Sequence, residues 1–194
     1  MTCALVLAGG RSRRFGSEKA MAMAQGRSLL AHAVDRLAAQ GFEIAVNAPA
    51  GSGAAAWAAD HGYPLISDDP ADPSGPLAGV KAGLRWARAQ GAERLATAPC
   101  DTPDLLADLE KRLEGALSPK AGAATARSPS GLQSLCTVWR VASALPVLEA
   151  HFARDHHPAV HDLLAELAGV EVVFDSDAPF ANFNRPADLD ERKT

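Results

Sequence analysis

Leu5-Val6-Leu7-Ala8-Gly9-Gly10-Arg11-Ser12-Arg13-Arg14-Phe15-Gly16-Ser17-Glu18-Lys19 takes an apolar run straight into a glycine pair and then into a segment with four cations. A short apolar run stopped by glycine reads as a buried strand ending in a turn. Glycines let a backbone approach an anion closely, N–H groups in such a turn can point inward, and Arg11, Arg13, Arg14 and Lys19 supply the charge a pyrophosphate requires. The spacing excludes two familiar phosphate loops. Five residues separate Gly10 from Gly16 and the lysine follows three positions later, so the segment is not a P-loop. The G-x-G-x-x-G dinucleotide pattern is absent as well.

Working outward, short apolar runs alternate with longer segments of helical period, the pattern of an α/β chain with a mostly parallel sheet. Strands are expected at 3–7, 42–46, 63–66, 94–98, 121–126, 135–139 and 170–174. Helices are expected at 29–39, around Trp57, from Pro76 to Ala89, at 105–113, in two pieces across 142–167 broken near His156-His157-Pro158, and from Pro186 onward. Ligands of open α/β sheets bind beyond the carboxyl ends of the strands. Four loops so placed carry polar groups that can converge: Gly9 to Lys19, Asn47, Asp68 and Asp101.

The 194 residues, 47% of them hydrophobic, suffice for one substantial core, so a single domain over 1–194 is expected. A net charge of -4 gives no overall positive field, which argues against nucleic acid or an anionic membrane as partner. No apolar run approaches the roughly 18 residues that span a bilayer, and the start lacks a signal-peptide pattern, so a cytoplasmic location is expected. Cys3, Cys100 and Cys136 are odd in number and widely spaced, as reduced thiols would be.

Asp101 follows an apolar strand and precedes Thr102-Pro103. Its carboxylate can ligate Mg²⁺, which takes hard oxygen donors, or cap the helix expected near Leu105; the basic segment nearby favours the metal. Asn182 and Asn184 point the same way if their segment is extended, as neutral oxygen ligands would, but Asn184 can equally start the last helix, and that reading ranks first. His156, His157 and His161 lack the partners of a tetrahedral zinc set and read as a solvated helix start. No Gly-x-Ser-x-Gly elbow marks a covalent nucleophile.

Together, Leu7-Ala8-Gly9-Gly10-Arg11-Ser12-Arg13-Arg14-Phe15-Gly16 with Lys19, Gly75-Pro76-Leu77-Ala78-Gly79, Cys100-Asp101-Thr102-Pro103 and Asn182-Phe183-Asn184 before Pro186 and Leu189 resemble the molybdenum cofactor guanylyltransferases, the MobA family. The resemblance spans nearly the whole chain. It implies a Rossmann-like nucleotidyltransferase fold, a mostly parallel sheet with helices on both faces, and transfer of GMP from GTP to the terminal phosphate of molybdenum-bound molybdopterin with release of pyrophosphate. It implies that the N-terminal part binds GTP through Leu7, Ala8, Gly9, Gly10, Lys19, Asn47, Asp68, Gly79 and Asp101, that Lys19, Asp101 and Arg13 are catalytic, and that Asp101 ligates Mg²⁺. The C-terminal part is expected to hold molybdopterin, with Gln133, Asn182 and Asn184 as candidate contacts. Molybdoenzyme chaperones or cofactor-insertion proteins are candidate partners. The chain departs from the family's pattern at Phe15 (usually Met), Glu18 (usually Asp) and Ser134 (often Pro). Gly9 stands where cytidylyltransferases of the molybdopterin kind typically resemble Leu-Ala-Ala-Gly, and its missing side chain leaves room for a larger purine.

Overall fold

The computed structural model describes residues 1–9 and 18–183. In chain order they form β1 (Thr2–Leu7), a 3-10 turn (Lys19–Met21), β2 (Met23–Ala24), β3 (Arg27–Ser28), α1 (Leu29–Ala38), β4 (Glu43–Asn47), α2 (Gly53–Asp60) and β5 (Leu65–Ile66). There follow α3 (Pro76–Ala89), β6 (Arg94–Pro99), α4 (Leu109–Ala116), β7 (Ala123–Ser128), β8 (Gly131–Arg140), α5 (Val141–Phe152), α6 (Val160–Glu166), β9 (Val170–Val173) and a second 3-10 turn (Ala178–Phe180).

Seven strands make one sheet in the order β5-β4-β1-β6-β8-β7-β9. β1 pairs in parallel with β4 and β6, β4 with β5 and β7 with β9, whereas β8 runs antiparallel between β6 and β7. The sheet is therefore mostly parallel, with one reversed strand. Because side chains alternate along a strand, β1 feeds two cores. Ala4 and Val6 join α1, α2 and α4 on one face, while Cys3, Leu5 and Leu7 join α3, α5 and α6 on the other. The expected helices on both faces are present, and burial on both sides explains why β1 reads as a continuous apolar run.

β7 and β8 lie at Ala123–Ser128 and Gly131–Arg140 where 121–126 and 135–139 are expected, and other differences have local reasons. The helix expected from Leu105 begins at Leu109, after the chain runs through turns from Pro103 to Asp108. The strand expected over 63–66 shrinks to Leu65–Ile66, and Pro64 serves the sheet only through its carbonyl, which accepts from Val46 N. A β2–β3 hairpin was not foreseen: Gln25 and Gly26, with φ of 50° and 79°, form its two-residue turn without the usual Asn-Gly or Asp-Gly signal. The helix expected from Pro186 lies outside the described residues.

Candidate active site

At the carboxyl edge of β5, β4, β1 and β6 lies a cavity of about 300 Å³. Leu7, Ala8, Gly9, Lys19, Asn47, Asp68 and Asp101 all line it, so residues up to 94 positions apart in the sequence converge as the sheet rule requires. Lys19 Nζ and Asp101 Oδ2 approach to 2.5 Å across the cavity, with side chains 14% and 22% exposed. This places a cation and a carboxylate together in a part-dry setting that strengthens both interactions.

Each group is held from behind. Asn47 ends β4, is 3% exposed, and donates its amide hydrogens to the Ile66 carbonyl at 3.0 Å and to Asp68 Oδ1 at 2.8 Å. Its Oδ1 faces two glycines: a Cβ at Gly79 would lie 2.4 Å from that oxygen, and one at Gly9 3.3 Å. Gly79, on α3, thus stands behind Asn47 and does not line the cavity. The loop carrying Asp68 is fixed further by a buried ion pair between Asp72 and Lys81, whose ammonium also lies 4.9 Å over the Phe152 ring. Asp101 is no helix cap, since α4 is preceded by Asp108 as its N-terminal flank, and its own carbonyl accepts from Phe183 N at 2.9 Å.

Glu18 accepts from Gly53 N at 2.6 Å and from Ala54 N at 2.9 Å, so the carboxylate beside Lys19 sits on the N-terminus of α2. The Ser52 hydroxyl accepts from Ala55 N at 3.1 Å, and the first turn of α2 is satisfied as a helix start requires. The sequence contains the signal, an acidic residue and a Ser-Gly pair, but not their contact 35 positions apart.

Of the other sequence-derived candidates, Gln133 lies in the β7–β8 ribbon, its amide donating to Ser128 Oγ at 3.0 Å, and Asn182 is exposed beside the Phe183–Asp101 contact. Neither lines the cavity. Gly10, Arg13 and Asn184 lie outside the described residues. His157 differs from the solvated group expected: its ring stacks on Phe152 and its Nε2 is buried without a hydrogen-bond partner among the described residues. Cys100 lines the cavity, but burial first and Asp101 second push its thiol up to about 12, so it is protonated and no nucleophile.

Among the described residues no three His, Cys, Asp or Glu side chains group to hold a metal. Asp101, one of two carboxylates that line the cavity with Asp68, nevertheless fits a hard cation, which takes one or two protein carboxylates and completes its shell with phosphate oxygens and water.

A largely parallel sheet carrying a strand-end glycine, a cation and two carboxylates in one cavity defines an α/β enzyme built around nucleoside triphosphate. Residues 4–176 match the family model of the MobA-like NTP transferase domain. A molybdenum cofactor guanylyltransferase of Sinorhizobium fredii is 39% identical over 97% of this chain and 88% of its own, and one of Acidiphilium cryptum is 38% identical over 96% and 91%. The chain belongs to the MobA-like NTP transferase family and is a nucleotidyltransferase. Its fold matches molybdopterin-guanine dinucleotide biosynthesis protein A of Archaeoglobus fulgidus at a TM-score of 0.78 with 22% identity, covering 98% and 96% of the two chains. The 4-diphosphocytidyl-2C-methyl-D-erythritol synthase of Anaerococcus prevotii shares the fold at a TM-score of 0.73 and 12% identity, covering 98% of this chain and 93% of its own. No helix among the described residues is long and apolar enough to cross a membrane.

Proposed function

We propose that this enzyme transfers GMP from GTP to the terminal phosphate of molybdenum-bound molybdopterin, forming the guanine dinucleotide and releasing pyrophosphate. The observation that carries the reading is the meeting of Lys19 and Asp101, 82 positions apart, in one cavity whose far wall is the Asn47–Asp68 pair. The curated relatives' shared name supports the acceptor and the base.

An acceptor phosphate oxygen attacks the α-phosphorus of GTP in line; the new P–O bond forms as the bond to the β-phosphate oxygen breaks, and pyrophosphate leaves. No general base is required, because a phosphate monoester with a second pKa near ~6 is largely dianionic at neutral pH. Lys19 stands where it can offset charge on the departing pyrophosphate, a role proposed also for Arg13. Asp101 would hold Mg²⁺, which supplies polarisation of the phosphoryl oxygens when bound. Ala8 N donates to the Asn47 carbonyl at 2.9 Å, fixing the backbone that leads into Gly9, on which the triphosphate would rest.

For base choice, Asp68 presents a carboxylate whose Oδ1 already accepts from Asn47. Guanine offers adjacent N1–H and N2–H donors to such an acceptor, and cytosine has no matching pair of donors. The rival reading is transfer of CMP from CTP on the same fold, which the chain shares with the 4-diphosphocytidyl-2C-methyl-D-erythritol synthase. Incubating the enzyme with Mg²⁺, molybdenum-loaded molybdopterin and equal GTP and CTP, then weighing the dinucleotide by mass spectrometry, decides it. A guanine product is expected; a cytosine product would overturn the base assignment, and no product would overturn the acceptor.

A further inference from the structure

The order of groups across the sheet edge leaves one side of the cavity without an assigned role. Following β5-β4-β1-β6-β8, the cavity wall presents Asp68, Asn47, Leu7 to Gly9, Asp101 and finally Leu135. If the base lies at the Asp68 end and the reacting phosphorus near Asp101, the residue beyond Asp101 faces the incoming acceptor.

Leu135 lies in a bulge of β8 and is half-buried against the core on the α3 and α5 side. Thr125 pairs with Thr137 and the next residue, Ala126, pairs with Gln133, so Ser134, Leu135 and Cys136 have no counterpart on β7; the β6 register with β8 ends at Thr97 and Thr137. Bulges re-aim side chains and are frequent beside active sites. Three extruded carbonyls in a sheet interior would be costly if unpaired. Here three threonines, none more than 1% exposed, answer them. Thr137 Oγ1 lies 2.9 Å from the Ser134 carbonyl, Thr97 Oγ1 2.9 Å from that of Leu135, and Thr125 Oγ1 3.4 Å from that of Cys136. The fully buried Trp139 donates from Nε1 to Thr97 Oγ1 at 3.0 Å, which leaves the Thr97 hydrogen for the Leu135 carbonyl. Thr137 Oγ1 also lies 2.9 Å from Thr125 Oγ1, so the three buried hydroxyls form one linked set that favours a single backbone path.

We infer that Leu135 is an acceptor-specificity residue, and that the Thr97–Thr125–Thr137 bulge is a device that positions it. Its side chain forms an apolar wall for the ring system next to the acceptor's phosphate, so the site favours an acceptor whose phosphate is carried on a bulky, ring-bearing group over one carried on a polar, open chain. This rests on the guanylyl-transfer reading above.

The test is steady-state kinetics of Leu135→Ala, Leu135→Asn and Leu135→Met with GTP and molybdenum-loaded molybdopterin varied separately, alongside direct binding of GTP. Removing the apolar wall in the Ala and Asn variants is expected to raise the acceptor KM about tenfold. GTP KM and GTP binding should stay within about twofold of wild type, and Leu135→Met should restore the acceptor KM because it keeps an apolar group of similar volume. An unchanged acceptor KM, or an equal rise in GTP KM, would overturn the assignment. Failure of the wild-type enzyme to form any guanine dinucleotide would instead overturn the reading beneath it.

Discussion

Asn47 shows how one side chain can be fully committed before substrate arrives. Both amide hydrogens are used, on Ile66 and Asp68, and the oxygen is pressed between Gly9 and Gly79. Glycine inside a helix normally costs about 0.5–1 kcal/mol relative to alanine, so Gly79→Ala would ordinarily stabilise α3. Here the added methyl would stand 2.4 Å from Asn47 Oδ1, well inside contact distance, and 2.9 Å from its Cγ. Displacement of Asn47 frees Asp68, and GTP KM is expected to rise about tenfold with little change in kcat, the pattern of lost uniform binding. A GTP titration of the variant checks this; an unchanged KM with a raised melting temperature would show that Asn47 yields at no functional cost. Asp101 sits on the other side of the distinction. If it serves the transferring phosphoryl group, Asp101→Ala lowers kcat by about 100-fold or more while GTP affinity changes less, which separate turnover and equilibrium-binding measurements would resolve.

At the scale of elements, α2 acts on the site without lining it. Its N-terminal N–H groups donate to the Glu18 carboxylate, and Glu18 precedes the Lys19 that meets Asp101. Gly53 is required for this approach, since a Cβ there would stand 2.9 Å from Glu18 Oε2 and 3.0 Å from Met21 Cγ. Glu18→Gln retains one acceptor and loses the charge that favours a helix N-terminus, so kcat/KM for GTP is expected to fall about fivefold with a loss of about 1 kcal/mol in stability. Gly53→Ala should reproduce the kinetic loss from the opposite side of the contact; normal kinetics in both variants would make the clamp purely structural. Much of the framework was legible in sequence because it is local: β1 in its apolar run, α3 in its Pro76 start, and Asn47, Asp68 and Asp101 as strand-end polar groups. What could not be read depends on partners far along the chain. The bulge at Ser134 to Cys136 is met by hydroxyls on β6 and β7 as well as on β8 itself, and the Glu18 clamp depends on a helix 35 residues on. The bulge also gives a place to Ser134, where proline is frequent in the resembling family: a residue with no counterpart in either neighbouring register can dispense with an N–H.

For the molecule as a whole, the feature most sensitive to conditions lies away from the cavity, in the core between α1, α4 and the sheet. Glu110 is 1% exposed; its Oε2 accepts from Gln40 Nε2 at 2.5 Å, while its Oε1 is buried with no hydrogen-bond partner among the described residues. Burial disfavours the ionised form and pushes the carboxyl up to about 7, against the smaller opposing pull of the Gln40 hydrogen bond. In the unfolded chain the same group titrates near its ordinary value of 4.5. The folded state therefore holds this proton more tightly, and the resulting stability is complete below the ordinary carboxyl range and is lost as pH rises through about 7. The shift corresponds to roughly 3 kcal/mol. Glu110→Gln keeps the shape, can still accept from Gln40, and carries no charge at any pH. Denaturant melts from pH 4 to 9 should show wild type losing stability relative to this variant between about pH 4.5 and 7, with a constant difference above that. Parallel curves would mean that the buried carboxyl is already ionised in the native protein, and that a group not seen in the static packing compensates its charge.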